Sequence, residues 1–170
     1  MTRKFSKIEL FWKEKLRTLP SDLVARFNFD DNTSSFLTTV GLPADLSDLN
    51  KALEINFYFE PGSTEFMGDN YCVLGDDSGT YFAISLSNHQ LYAIDLDKVT
   101  GHDPVCFVNS TIDKFIETIQ LFIEFQRRSL TGKSSEADLI KLMVEKMKDV
   151  DKQALASKDT WWGSIVSESI

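Results

Sequence analysis

Positive charge is nearly missing from the middle of this chain. From Asp30 to Asp103, thirteen acidic residues face only Lys51 and Lys98, a net of −11; the rest of the 170 residues sums to +3, and the whole to −8. A segment of this kind repels nucleic acid and anionic membranes and draws basic proteins at a salt-sensitive on-rate. Solubility is the plainer use of the same charge.

Other absences narrow the chemistry. No apolar run reaches membrane-spanning length. No apolar segment follows the basic start Met1-Thr2-Arg3-Lys4-Phe5-Ser6-Lys7, so it is not a secretory signal, and a cytoplasmic protein is expected. Cys72 and Cys106 are the only cysteines. Both lie in apolar strand-like runs and read as buried thiols, because a redox or metal pair needs closer spacing and more ligands. His89 and His102, the only histidines, fall in connectors without an H-x-x-x-H or H-E-x-x-H spacing. There is no G-x-S-x-G elbow and no glycine-rich loop with a lysine for phosphate. An enzyme would have to work with scattered carboxylates.

What is present is a core. A hydrophobic fraction of 42% with 13 Phe marks a globular chain, long enough for one domain spanning residues 1–170. The centre of the pattern is the run from Pro104 to Arg128. Val105 to Val108 suits a buried strand, and Ser110 with Asp113 reads as a helix start. Ile112, Phe115, Ile116, Ile119, Phe122 and Ile123 then repeat at helical spacing, opposite Asp113, Glu117, Gln120, Glu124 and Arg127. Leu121 and Phe125 widen the apolar arc, so burial on more than one side is expected.

Towards the N-terminus the spacing predicts a helix from Lys4 to about Leu19, interrupted by Pro20 and restarted at Ser21-Asp22. Asp30 to Thr33 offers caps for a further turn or two, closed by Gly41-Leu42-Pro43. Asp45 to Leu53 reads as loop. A strand beginning near Glu54 is expected to break at Pro61-Gly62-Ser63. Strands follow at Asn70–Leu74, Tyr81–Leu86, Leu91–Leu96 and Val105, with Gly75-Asp76-Asp77-Ser78-Gly79 as a turn-rich connector. Short connectors favour an antiparallel meander. Beyond the central helix, Ser134-Ser135 followed by Glu136 and Asp138 opens another, striped by Leu139, Met143, Met147, Val150 and Ala154. Trp161-Trp162 enters a last short amphipathic turn.

Two features invite a functional reading. Asp76-Asp77-Ser78-Gly79 looks superficially like a calcium loop but lacks its alternating carboxylates and distant Glu, and it suffices as a turn. Trp161-Trp162 could anchor a partner, but adjacent helical residues point about 100° apart, so packing with one ring buried and one at the edge explains the pair.

The run YCVLGDDSGTYFAISLSNHQLYAIDL, followed by CFVNSTIDKFIETIQLF, resembles the SUKH superfamily of bacterial immunity proteins, most closely its fourth group. The shared features are Gly75 and Gly79 about the turn, the Tyr92 to Asp95 strand, and Phe107-Val108-Asn109-Ser110 entering the Phe- and Ile-rich helix. Trp161-Trp162 with Ile165, and Leu19-Pro20-x-Asp22-Leu23 leading towards Gly41-Leu42-Pro43, also fit. The resemblance implies a SUKH-like α+β fold: N-terminal helices, a twisted antiparallel β meander and C-terminal covering helices. It implies a non-enzymatic protein that neutralises a cognate polymorphic or contact-delivered toxin, often a nuclease or deaminase, by stoichiometric binding. No cofactor, metal, nucleic acid or membrane enters this reading, and the family has no catalytic residues to transfer. Toxin-contacting positions vary within the family. Those expected here come from the acidic connectors: Glu60, Glu65, Asp69, Asp76 and Asp77, with Tyr58 and Tyr81 as apolar anchors. A regulatory interaction module on the same scaffold, without a toxin partner, is the alternative.

Overall fold

The computed structural model of the chain describes residues 4–46, 53–95, 103–132 and 135–168. Most of the loop read at Asp45–Leu53, the end of the strand read at Leu91–Leu96, and His102 lie outside these residues.

The N-terminal helix α1 (Ser6–Trp12) buries Ile8 and Trp12 but stops well short of Leu19. Lys13 takes φ 49°, a 3-10 turn follows, and β1 (Leu16–Arg17) pairs antiparallel with β2 (Leu42–Pro43). Leu16 serves that pairing, which helical periodicity alone could not reveal. Between these strands lie α2 (Ser21–Ala25) and α3 (Asp31–Thr39). Of the caps offered at Asp30 to Thr33, α3 uses Asp30, its Oδ1 accepting the Thr33 N–H at 2.7 Å. Gly41 leaves the helix at φ 88°, where a Cβ would stand 2.2 Å from the Arg17 carbonyl oxygen. The crossing admits only glycine.

The sheet is the expected meander. Strands β3 (Asn56–Phe66), β4 (Asp69–Asp77), β5 (Thr80–Ser85), β6 (Leu91–Asp95) and β7 (Val105–Asn109) lie side by side in chain order, each antiparallel to the next. Two details depart from the sequence pattern. Pro61-Gly62-Ser63 does not end the first strand; β3 runs on to Phe66 through an irregularity between Phe57 and Gly62. It is an edge strand, where a bulge accommodates a proline that cannot donate to the ladder. Gly75, Asp76 and Asp77 are strand rather than connector, and the turn shrinks to Ser78-Gly79, both at positive φ (46° and 114°). Positive φ at both central residues is the geometry that matches a two-residue hairpin to the strand twist.

One face of the sheet carries Cys72, Leu74, Phe82, Ile84, Leu91, Ala93 and Val108 into the main core. Helix α4 (Ile112–Ser129) lies against it, with its six predicted stripe residues all buried. The Phe82 ring meets Phe115 at 5.2 Å and Trp161 at 5.1 Å between centroids. Helix α5 (Glu136–Val150) packs along α4, α1 and α3 also touch α4, and α6 (Trp161–Glu168) closes on β7. Ser135 caps α5 through the Asp138 N–H at 3.2 Å. The architecture is α+β.

The start of α4 is built differently from its sequence signature. Ser110 does not cap the helix, and Thr111 at the cap position makes no side-chain bond to it. Asp151, just past α5, instead holds the two residues that lead into the helix, the nearer from 41 residues away. Its Oδ2 accepts the Ser110 N–H at 2.6 Å and Asn109 Nδ2 at 3.1 Å, and its Oδ1 accepts the Ser110 hydroxyl at 2.8 Å. Asn109 Oδ1 in turn accepts Trp162 Nε1–H at 2.9 Å. A buried carboxylate thus sits at the positive end of α4 and ties β7, α5 and α6 together. Asp113 faces away, accepting from Asn32 Nδ2 at 2.8 Å. Trp162 is fully buried and Trp161 half-buried, the division expected of adjacent helical residues.

Candidate functional site

The expected contact residues do not form one cluster. Four of them meet at a corner of β3, β4 and β5. Register sets Asn56 beside Asp76 and Asp76 beside Tyr81, and the Tyr58 hydroxyl donates to Asp76 Oδ2. Asp77 follows, paired with Thr80. A bulge creates this corner. Strand β4 spends one extra residue, Leu74, between its Val73–Ala83 and Gly75–Phe82 pairs. Without it, simple alternation would turn Gly75 outward with Tyr71 and Val73; with it, Gly75 turns inward and Asp76 joins the outer face. The inward position again demands glycine, because a Cβ would lie 2.3 Å from the Asn56 carbonyl oxygen.

The corner holds negative charge under repulsion. The Asp77 carboxyl is pushed above its ordinary range, by partial burial first and then by the nearby Glu54 and Asp76 charges. Burial and the Asp76 carboxylate push the Tyr58 hydroxyl up to about 12. No lysine or arginine occurs in any of the five strands, whereas Glu60, Glu65, Asp69, Asp76, Asp77 and Asp95 do.

The other three acids lie elsewhere. Asp69 sits at the far end of β4 and is structurally engaged, its Oδ2 accepting the Ser85 hydroxyl at 2.6 Å and the Ser87 hydroxyl at 3.0 Å. The Ser85 bond leads in holding its carboxyl below the usual carboxylate range, with Ser87 and the Asn70 N–H adding to it. Glu60 and Glu65 are exposed along the edge strand β3, with no hydrogen-bond or ion-pair partner among the described residues.

The larger feature, which strand-by-strand reading missed, is a face. All four tyrosines of the chain, Tyr58, Tyr71, Tyr81 and Tyr92, lie on the side of the sheet opposite the helices. Tyr71, Ala83 and Ile94 form a separate apolar cluster there, with Phe66, Val73, Tyr81 and Tyr92 half-buried around it; no described helix residue joins it. Tyr92 meets Tyr71 at 6.2 Å and Phe107 at 5.9 Å, both edge to face. The signal was available in the register, since Tyr81, Ala83 and Ser85 alternate with the core residues, but the bulges hide it from simple counting.

The remaining candidates are structural. His89 lies 3.3 Å from Asp30 and packs its ring against Phe29, fastening the β5–β6 turn to the N-terminal helices. Cys72 is buried, and burial pushes its thiol up to about 12; Cys106, half-buried, donates to the Asp159 carbonyl oxygen at 3.0 Å. Neither cysteine is in a disulfide. Among the described residues no group of His, Cys, Asp and Glu is arranged to hold a metal ion, and no helix is long and apolar enough to cross a membrane.

The fold thus presents an acidic, tyrosine-bearing sheet face on the side away from the helices. Residues 9–168 match the SUKH-4 immunity protein family, and the chain belongs to that family. Comparison with curated proteins and with solved structures finds no match.

Proposed function

We infer that this protein is an immunity protein that binds a cognate polymorphic or contact-delivered toxin, a basic nuclease or deaminase, and neutralises it stoichiometrically rather than by catalysis. Family membership supports the toxin–immunity role. The observation that carries the charge of the partner is a five-stranded sheet with acids of one sign and no lysine or arginine in any strand. The Asp77 carboxyl stands at the corner in an environment that disfavours its charge, which supports a binding role for it over a stabilising one. Asp76 and Asp77, with Tyr58 and Tyr81 beside them, make the first contacts. Glu60 and Glu65 extend the acidic surface along β3, and Asp69 borders it. A partner of this charge is met in the cytoplasm, without cofactor, nucleic acid or membrane.

The test is co-expression with the toxin domains encoded in the protein's own genome, scored by survival and followed by affinity measurement on the purified pair. One toxin should be neutralised, and raised salt should weaken the complex. The double reversal D76K/D77K should weaken it by about tenfold or more without lowering thermal stability. Survival with none of the toxins would refute the reading, and unchanged affinity would remove the corner from the site.

A further inference from the structure

The helices bury one face of the sheet, and the composition of the other is unusual for a surface that merely faces water. It gathers every tyrosine of the chain, with Phe66 and Phe107 beside them. Tyrosine presents a large, stiff contact area at low conformational cost, which is why protein interfaces are enriched in it. Carboxylates flank the rings. Asp76 accepts the Tyr58 hydroxyl, and burial first, then the Asp69, Tyr92 and Asp103 groups, push the Tyr71 hydroxyl above its ordinary range. The strands beneath supply no cation to neutralise them.

Rings and carboxylates side by side are complementary to one cationic group above others. A guanidinium stacks its plane on an aromatic ring while its edge pairs with a carboxylate; an ammonium does the second well and the first less well. The chain itself uses this contact, with the Arg17 guanidinium 4.6 Å from the Phe59 ring centroid at the edge of the same sheet.

We propose that the outer face of the sheet, with the half-buried Tyr81 and Tyr92 at its centre over the buried Tyr71, and with Asp69, Asp76 and Asp103 around them, is the docking surface for a basic protein partner and takes that partner's arginine side chains. This deepens the immunity reading and rests on it for the identity of the partner. The Leu74 bulge is then the device that completes the surface, by bringing Asp76 to the tyrosine side.

The experiment is an NMR titration of the full chain, tyrosine rings labelled, with a nine-residue peptide alternating Arg and Gly and with its Lys counterpart. The arginine peptide should shift Tyr81 and Tyr92 and bind more tightly than the lysine peptide. Tyr81→Ser should weaken the arginine peptide roughly two- to fivefold, the loss of one cation–ring contact, with less effect on the lysine peptide. Because Tyr81 is half-buried, Asp76→Asn serves as a second variant that leaves the apolar cluster intact. Equal affinity for the two peptides, or no tyrosine shift, would overturn the proposal. The two readings fail separately: a toxin neutralised equally well by Y81S and D76N chains leaves immunity standing and removes this face. Arginine-selective binding here without any toxin neutralised does the reverse.

Discussion

Removing the Asp151 carboxylate should be among the most damaging single changes in this protein, although the residue lies in no helix or strand. Asp151 is 3% exposed and accepts three hydrogen bonds, from Ser110 N–H, Ser110 Oγ and Asn109 Nδ2. Each bond to a charged acceptor contributes about 1.5–3 kcal/mol, and the three share one group, so their losses do not add. Asp151→Ala leaves the first amide of the α4 entry and a buried asparagine without their acceptor, and it loosens the Asn109 that holds Trp162. Lys114, 3.9 Å from Asp151 Oδ1, is exposed enough to return to water. Breaking a buried charged network of this kind costs about 3–5 kcal/mol. Urea unfolding monitored by tryptophan fluorescence measures it directly. Asp151→Asn should cost less, because its amide oxygen can still accept from Ser110. A loss below about 1 kcal/mol for the alanine variant would refute the claim that this carboxylate organises the junction of β7, α4 and α6.

Other expectations follow from the same geometry. Gly75→Ala should destabilise by about 1–3 kcal/mol, because its Cβ meets backbone at 2.3 Å, whereas Gly62→Ala, with nothing within 4 Å, should be near neutral in the same unfolding assay. Asp69 and Asp77 should show opposite pH behaviour. The depressed Asp69 carboxyl contributes stability above the ordinary aspartate range that is lost as pH falls, so Asp69→Asn should lower stability at pH 7. Because the Asp77 carboxyl is raised, its contribution is present at low pH and lost as pH rises; Asp77→Asn should therefore raise stability slightly at pH 7, by under about 1 kcal/mol at this partly exposed site. In an ultraviolet titration of the folded protein Tyr58 should ionise near pH 12. Its folded value lies above the ordinary one, so stability should fall as pH climbs from about 10 towards 12.

The sequence pattern carried the scaffold because the scaffold is built from periodicity. The stripe from Ile112 to Ile123, the short connectors of the meander, the Asp30 cap and the division of labour between Trp161 and Trp162 are all local or strictly periodic, and each appears in the structure. What escaped reading depends on one extra residue or on a distant one. The Leu74 bulge reverses the parity of β4, so Asp76 faces the tyrosines and cannot be placed by counting from Tyr71. The irregularity of β3 carries the strand past a proline that reads as its end. Ser110 has the chemistry of a cap, yet a carboxylate 41 residues later claims it. Asp69 looks like a free connector acid, but two serines hold it. The acidity was legible, and its distribution over the two faces of the sheet was not, since that requires the register.

The most direct test of the central claim is a titration of toxin activity by purified immunity protein. With toxin far above the dissociation constant, activity should fall linearly and reach zero at one equivalent. Raised salt should round the break, and the D76K/D77K chain should lose it. Complete silencing by a small fraction of an equivalent would mean that the protein turns over, and would contradict neutralisation by stoichiometric binding.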